Sequence, residues 1–415
     1  MESTLRRTWA EIDLDALEYN YNTIRRHIGE GTRFLGVVKA DAYGHGAIKV
    51  ATVLQQAGAD YLAVSSIDEA MELRLGGITM PILILGHTPG EQVERLIEYN
   101  ITQAVSCMAK AEEYSKEVMR LRQAAAECAP ADSAQAAAGS VSASSDRISL
   151  KIHIKVDTGM SRLGFLCDGR YFDTGVKGIC DACALPGLEA EGIFTHFSVA
   201  DEPEDEENVR YTKHQFKLFT DVIEEVQKLS GQTFRLRHCA NTGATALYPE
   251  MFLDMVRPGL LLYGYGEFAG KLGLKPVMTL KTTVSTIKTY PENTSVSYGR
   301  TYRTDHVTRV GVLPYGYADG FFRSLSGNYS FMTADGPSPV LGRICMDMCM
   351  ADLTGLKNIA VGSEIEIFGR NNPIETMAEK ASTIPYELTC AVSKRVPRIY
   401  IYDGSVIEKE LMLRM

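Results

Sequence analysis

Over the first two-thirds of the chain, apolar residues gather in short runs separated by longer helix-like stretches. FLGVVKA (34–40), YLAVSS (61–66) and PILILG (81–86) read as buried strands, and AIKVATVLQQAG and DEAMELRLGG between them as helices. The rhythm resumes with TQAVS around Ala104, LKIHIKVD (150–157), LEAEGIFTHFS (188–198), FRLRHCA (234–240) and MVRPGLLLYG (255–264). Eight strands alternating with helices predict an α/β fold, an N-terminal (β/α)8 TIM-like barrel. A doubly wound open sheet is the rival, but its glycine-rich dinucleotide fingerprint is missing after the first strand.

After about Gly264 the helical rhythm stops. MTLKTTVSTIKTY, TRVGVLPYGYADG, SPVLGRICMDMCMADL and SEIEIFG alternate like strands of a mostly antiparallel domain, interrupted by one short helix, NPIETMAEKA. The expected division is a barrel over 10–264 and a C-terminal, mainly-β domain over 265–415 plus 1–9, with Thr8 to Asp13 adding a strand. Within 117–146 the sequence ends in ECAPADSAQAAAGSVSASSD, too poor in large apolar residues to bury a core. It reads as a surface insertion after the fourth strand, helical at its start and mobile beyond.

Composition narrows the function. The 415 residues are 45% hydrophobic and 23% charged, as in ordinary globular proteins. A net charge of -9 and the lack of any Lys/Arg-rich block argue against nucleic acid. The N-terminal stretch lacks the apolar core of a signal peptide and no segment is apolar enough to span a bilayer, so a soluble, cytoplasmic protein without membrane partners is expected. Nine dispersed cysteines predict reduced thiols, and the lone CxxC of Cys180 and Cys183 has no second half to complete a metal site.

In a barrel of this kind chemistry collects at the C-terminal strand ends. Lys39 ends the first strand beside Tyr43, and Lys155, Asp157 and Arg162 close the fifth. His196 ends the sixth, Asn241 and Thr242 follow the seventh, and Arg257 with Gly259 lies in the eighth. Singly, each has an ordinary reading: Lys39 as a lysine snorkelling from a strand end, His196 as a satisfied core histidine, Arg162 or Arg257 as half an ion pair. Thr242 reads as a helix N-cap, which also suits an anion site after strands seven and eight. A partly desolvated lysine able to form a Schiff base, together with a phosphate site, implies pyridoxal phosphate (PLP).

The motifs KADAYGHG, HIKVDTGMSRLG, FTHF, HCANTGATAL, VRPGLLLYG, VSYGRTY, GYADG, GRICMD and RVPRIY occur in one order. In that order the chain resembles the alanine racemase family, over nearly its whole length except the Ala/Ser insertion. The resemblance implies a PLP-dependent homodimer with shared active sites that interconverts L- and D-alanine for peptidoglycan precursors. A serine or broad-specificity racemase is the alternative, since one hydroxyl is discriminated only modestly by a small pocket. A non-catalytic PLP-binding barrel would lack the second domain, and the barrel decarboxylases place an acid where Arg257 stands.

The resemblance also implies roles. Lys39 holds PLP covalently and acts as one base, while Tyr298 is the opposite base, contributed by the partner subunit. A proton removed from one face of Cα must return to the other, and a free tyrosine has a pKa of roughly 10, so its neighbours must ease deprotonation. Arg162 meets the tyrosine or the substrate carboxylate, His196 flanks the pyridine ring and Arg257 faces its nitrogen. Tyr43, Thr242, Gly259 and Leu260 contact the phosphate, with Asn241 beside them. Cys345, Met346 and Asp347 form the partner's side of the substrate pocket, and Tyr317 lines an entry corridor. Lys155 matches a lysine carbamylated in some members, a salt bridge being the other reading. Lys394 stands where well-known members have a tyrosine on the phosphate, and a lysine can meet phosphate only as a point charge.

Overall fold

The computed structural model describes residues 7–127 and 147–410. Its strands are, in order, β1 (Thr8–Asp13), β2 (Arg33–Val37), β3 (Tyr61–Val64), β4 (Ile82–Ile84), β5 (Thr102–Val105), β6 (Leu150–Asp157), β7 (Phe165–Leu166), β8 (Leu188–Phe194), β9 (Leu236–His238) and β10 (Met255–Val256). There follow β11 (Met278–Thr283), β12 (Thr286–Tyr290), β13 (Ser295–Val296), β14 (Tyr302–Arg303), β15 (Thr308–Leu313), β16 (Ser330–Thr333), β17 (Gly336–Leu341), β18 (Cys349–Asp352), β19 (Glu364–Phe368), β20 (Arg398–Tyr402) and β21 (Ser405–Glu410). The chain divides into two compact units, one of residues 24–40 and 54–259, the other of 1–23, 41–53 and 260–415.

The first unit is the barrel. Its parallel strands run in the order β10-β2-β3-β4-β5-β6-β8-β9, and the ring closes where Asp254 and Arg257 amides donate to the Arg237 and Ala240 carbonyls at 3.1 and 2.9 Å. β3, β4 and β5 are buried at every position, as strands covered on both faces must be. The longest helix, Glu206–Ser230, starts where Asp205 caps the amides of Glu207 and Asn208 and stops at Gly231 in the left-handed region. All eight predicted barrel strands are present. Several end earlier than expected: β2 stops at Val37 and β10 at Val256, because Lys39 opens a left-handed turn and Leu260–Tyr263 coils into a 3-10 helix.

The second unit carries a ten-stranded sheet ordered β12-β15-β18-β17-β16-β19-β11-β1-β20-β21. β1 sits inside it, antiparallel to β11 and parallel to β20. β13 and β14 form a separate two-stranded ribbon. The expected helix is Ile374–Ala381, and a second one, Pro385–Ala391, begins with proline in its first turn. Helix Met108–Glu127 covers the start of the predicted insertion; the rest, 128–146, lies outside the described residues. Among the described residues no helix is long and apolar enough to cross a membrane.

Candidate active site

The barrel unit gathers positive charge at its strand ends. Lys155, on β6, is 8% exposed with its ammonium 4.9 Å from the centre of the Phe194 ring. Burial first, and then the charges of Arg257 and Arg162, push its amine well below the ordinary lysine value, outweighing the opposing pull of Asp157. The Asp157 carboxylate is occupied in its own loop, accepting from the amides of Gly159 and Ser161, both at 3.0 Å. No ion pair joins Lys155 to a carboxylate among the described residues. His196, half-buried two residues beyond β8, is pushed well down by burial and by the charges of Arg257, Lys155, Arg162 and Lys39. It is a neutral imidazole ringed by cations.

Arg257 is the fixed point of this cluster. Fully desolvated, it is lowered to about 10 and so stays charged at neutral pH. It donates to the carbonyls of Thr195 (2.8 Å) and Cys239 (3.1 Å) and to His238 Nδ1 (2.9 Å), and it approaches His196 Nδ1 at 3.4 Å. An arginine cannot accept, so His238 Nδ1 must be the bare nitrogen. Nε2–H of His238 then donates to His153 Nδ1 at 2.9 Å, and His153 Nε2–H to Glu191 at 3.4 Å. Burial raises the Glu191 carboxyl, but bonds from His153, Tyr61 and Arg235 outweigh it and hold it at about 2. Every tautomer in the chain follows from the arginine at its end.

Lys39 follows β2 and opens the segment Lys39–Gly44, in which Ala40, Asp41, Ala42 and Tyr43 have φ of 52, 54, 52 and 54 degrees. A left-handed run of non-glycine residues costs on the order of 1–2 kcal/mol per residue, so the surroundings must impose it. Within the second unit they do. Asp41 accepts from the Ala47 amide at 2.7 Å, and Arg398 Nε donates to the Gly44 carbonyl at 3.1 Å. His45 Nδ1–H points to the Ala42 and Tyr43 carbonyls at 2.8 and 3.0 Å. Gly46 cannot be replaced, since a Cβ there would lie 1.9 Å from the Tyr400 hydroxyl. Tyr43 is thereby buried between the rings of Tyr263 and Tyr386, at 5.3 and 5.2 Å.

The phosphate candidates are distributed as follows. In the barrel unit the helix N-cap is Asn241, not Thr242: Asn241 is extended and its side chain accepts from the Ala244 amide at 3.1 Å. Thr242, now the first helical residue, instead accepts from the Gly259 amide at 3.0 Å. In the other unit the Leu260 amide donates to the Tyr386 hydroxyl at 3.3 Å. Lys394 is exposed.

The sheet unit presents its candidates outward. Tyr298 caps the β13–β14 ribbon and is 68% exposed, its backbone aimed by left-handed Ser297 and Gly299. Ser297 is tied down by a bond from its hydroxyl to the Arg343 carbonyl. Beside Tyr298 and Cys345 lies a cavity of about 390 Å3, also lined by Lys288, Tyr290 and Met350. The loop of Cys345, Met346 and Asp347 is bonded to the loop of Tyr317: the amides of Tyr317 and Ala318 donate to the Cys345 and Met346 carbonyls, both at 3.0 Å. Gly316 must be glycine there, because a Cβ would lie 2.3 Å from the Met346 carbonyl oxygen. Buried Asp319 locks the pair, accepting from the Gly316 amide (2.9 Å) and from Arg7 (3.0 Å) and Arg395 (2.9 Å). Arg395 also reaches Asp347 at 2.7 Å.

Sequence reasoning missed several of these residues. GYADG and RVPR were visible as motifs, and they supply Asp319, Arg395 and Arg398, whose work is to hold the loops and the left-handed turn. His153 and His238 open the motifs HIKVDTGMSRLG and HCANTGATAL, but nothing in those motifs pairs them, and Tyr386 and Glu191 carried no local signal.

The comparisons agree with this architecture. Residues 12–267 match the model of the alanine racemase N-terminal domain and 277–400 that of the C-terminal domain. The chain is 41% identical to the alanine racemase of Clostridium tetani over 412 residues, 97% of each chain. It is also 41% identical to that of Methanococcus maripaludis over 402 residues, 95% of this chain and 98% of the relative. The solved alanine racemase of Clostridium difficile 630 superposes with a TM-score of 0.85 at 33% identity, covering 99% of this chain and 100% of that one. A Bacillus anthracis alanine racemase with bound L-Ala-P gives 0.81 at 31%, covering 98% of each. Two domain matches in order and full-length identity of this size leave one assignment: the chain belongs to the alanine racemase family.

Proposed function

We infer that the chain interconverts L- and D-alanine with PLP, using Lys39 and Tyr298 as bases on opposite faces of the substrate. The observation that carries this is the cluster of buried cationic side chains near Lys39 in a chain of this family: Lys155 and Arg257 are desolvated, and among the described residues neither makes an ion pair with a carboxylate. An anionic group joining such a cluster would offset the cost of desolvating it. The donor set suits PLP. Thr242, the Gly259 and Leu260 amides and Tyr43 would hold its phosphate, and Arg257 would face its pyridine nitrogen.

PLP held there would supply the electron withdrawal that acidifies the α-proton of the substrate. The amine of Lys39 takes or returns that proton on one face, and the hydroxyl of a partner's Tyr298 does so on the other. His196, kept neutral by burial and then by its cationic surroundings, can accept a hydrogen bond without adding charge. Arg257 stays protonated and, locked by His238 and two carbonyls, cannot give its proton to the ring. Arg162 and the Met346 amide would bind the substrate carboxylate, with Cys345 and Asp347 shaping the pocket and Tyr317 its approach. The exposed aromatic and methionine face of Tyr298, Tyr317, Met346 and Met348 supports a homodimer that covers it. The depressed pKa of Lys155 supports carbamylation, since the neutral amine attacks carbon dioxide and the resulting anion would balance Arg257 and Arg162. D-Alanine for peptidoglycan, made in the cytoplasm, is the corresponding role.

The test is racemisation of L-alanine and L-serine by purified protein with added PLP. L-alanine should be the faster substrate. Lys39→Ala should lose both activity and the visible absorbance that survives dialysis; a variant that keeps that absorbance would sink the Lys39 assignment.

A further inference from the structure

We propose that His45 is a positioning residue for the reaction: its ring ties the left-handed turn that follows Lys39 and bears Tyr43 to strand β11, and so fixes where that amine and that phenol stand. The inference rests on the PLP reading above, which gives Lys39 and Tyr43 their work. His45 is fully buried, and the turn from Asp41 onward, the ring and the groups beyond it all lie in the sheet unit.

The bonds around the ring fix its state. Nδ1 faces two acceptors, the Ala42 and Tyr43 carbonyls, so it must carry the proton. Burial pushes the ring down to about 3, outweighing both carbonyls, which favour the charged form. The ring is therefore neutral at working pH and its Nε2 is bare. Nε2 accepts from the Tyr265 hydroxyl at 3.2 Å, and that hydroxyl accepts from the Met278 amide at 2.9 Å. Met278 opens β11 and stands in register with Ile12 of β1, so the run of bonds ends inside the ten-stranded sheet. The Tyr263 ring lies against both His45, at 4.5 Å, and Tyr43, at 5.3 Å. Turning Ala42 and Tyr43 to the right-handed region would swing their carbonyls off the ring and leave a buried N–H unpaired. The brace thus acts on the very residues that are left-handed, and Lys39 stands three residues before Ala42.

The test compares His45→Asn, which keeps an N–H donor for the carbonyls but loses ring packing, with His45→Phe, which keeps a ring against Tyr263 but loses every bond. Enzyme stripped of cofactor is mixed with PLP, and the rate at which visible absorbance appears is read beside kcat at saturating PLP and the denaturant midpoint without cofactor. His45→Phe should slow both rates roughly tenfold, the upper worth of a neutral hydrogen bond, and His45→Asn should slow them less, whatever the order of the midpoints. The inference is overturned if His45→Phe keeps the wild-type rates, if His45→Asn is the slower variant, or if the losses simply follow the midpoints. Where either variant fails to fold, Tyr265→Phe decides: cutting the brace at its far end, it should slow PLP capture roughly threefold, and an unchanged rate overturns the inference. In cofactor-free wild-type protein, nitrogen NMR of His45 should show a proton on Nδ1 and none on Nε2 down to about pH 5, where an ordinary histidine is charged. A ring that takes a second proton there overturns the brace and leaves the PLP reading intact. Wild-type protein that gains no visible absorbance with PLP would overturn that reading, and this inference with it.

Discussion

The barrel mouth and the outer face of the sheet unit hold their functional residues in opposite ways. At the barrel mouth, Lys155, His196 and Arg257 are withdrawn from water, and their chemistry is set by what burial and neighbouring charge do to their protons. On the sheet unit, Tyr298, Tyr317 and Met346 are 68, 44 and 54% exposed, and what is controlled is their position. Left-handed residues aim the Tyr298 ribbon, and Asp319 with two arginines fastens the loops of Tyr317 and Met346. One region tunes proton affinity at a cost in stability, and the other spends stabilising contacts on placement. Substitutions in the two should therefore move activity and stability in different directions.

The largest effect is expected at Tyr298. Tyr298→Phe removes only a hydroxyl from an exposed side chain, so folding should be untouched. Loss of a general base costs typically 10²–10⁴-fold in rate. With Lys39 as the proposed base on the other face, removal of the α-proton from L-alanine should slow more than from D-alanine. Equal losses in α-proton exchange for the two enantiomers would remove Tyr298 from its role.

Asp319→Asn should have an intermediate effect and a different signature. It leaves Arg7 and Arg395 without their shared carboxylate, but both arginines are about a third solvent-exposed and can rehydrate, so about 2 kcal/mol of stability should be lost rather than the full cost of a stranded buried charge. The Met346 loop should loosen with it, raising KM for alanine more than it lowers kcat. A fall in kcat alone, at unchanged stability, would mean that the network is not positional.

These two regions were unequally legible in the sequence. The barrel strands were readable because burial on both faces leaves unbroken apolar runs, and Lys39, Lys155, His196 and Arg257 were readable because polar residues at the ends of such runs stand out. The sheet unit was legible as strands, but the purpose of GYADG and RVPR was not, because Asp319 meets Arg7 across 312 residues. The left-handed turn after Lys39 had only Gly44 and Gly46 as hints, since Ala40, Asp41, Ala42 and Tyr43 prefer the right-handed region. Thr242 and Asn241 are both good N-caps by residue type, and only the extended backbone of Asn241 decides between them.

The smallest effect, and the sharpest contrast, is expected from Lys155→Met in bicarbonate-free buffer. The methionine keeps the aliphatic stem and removes a desolvated cation, so the cofactor-free protein should gain about 1 kcal/mol while its activity with PLP falls. The pH dependence follows from the direction of the shift. The Lys155 amine in the folded chain titrates well below 10.5, its ordinary value, which the unfolded chain keeps. Between those two values the unfolded state holds a proton that the folded state has released, so wild-type stability should rise with pH across that window. The variant lacks this slope, so its advantage should be full below the folded value and should vanish as pH approaches 10.5. Denaturant midpoints measured at pH 7 and at pH 10 would show it. A Lys155→Met protein less stable than wild type at pH 7 would mean that the ammonium is compensated in the folded chain, and the contrast between a charge-strained barrel mouth and a positionally braced sheet face would fail at its centre.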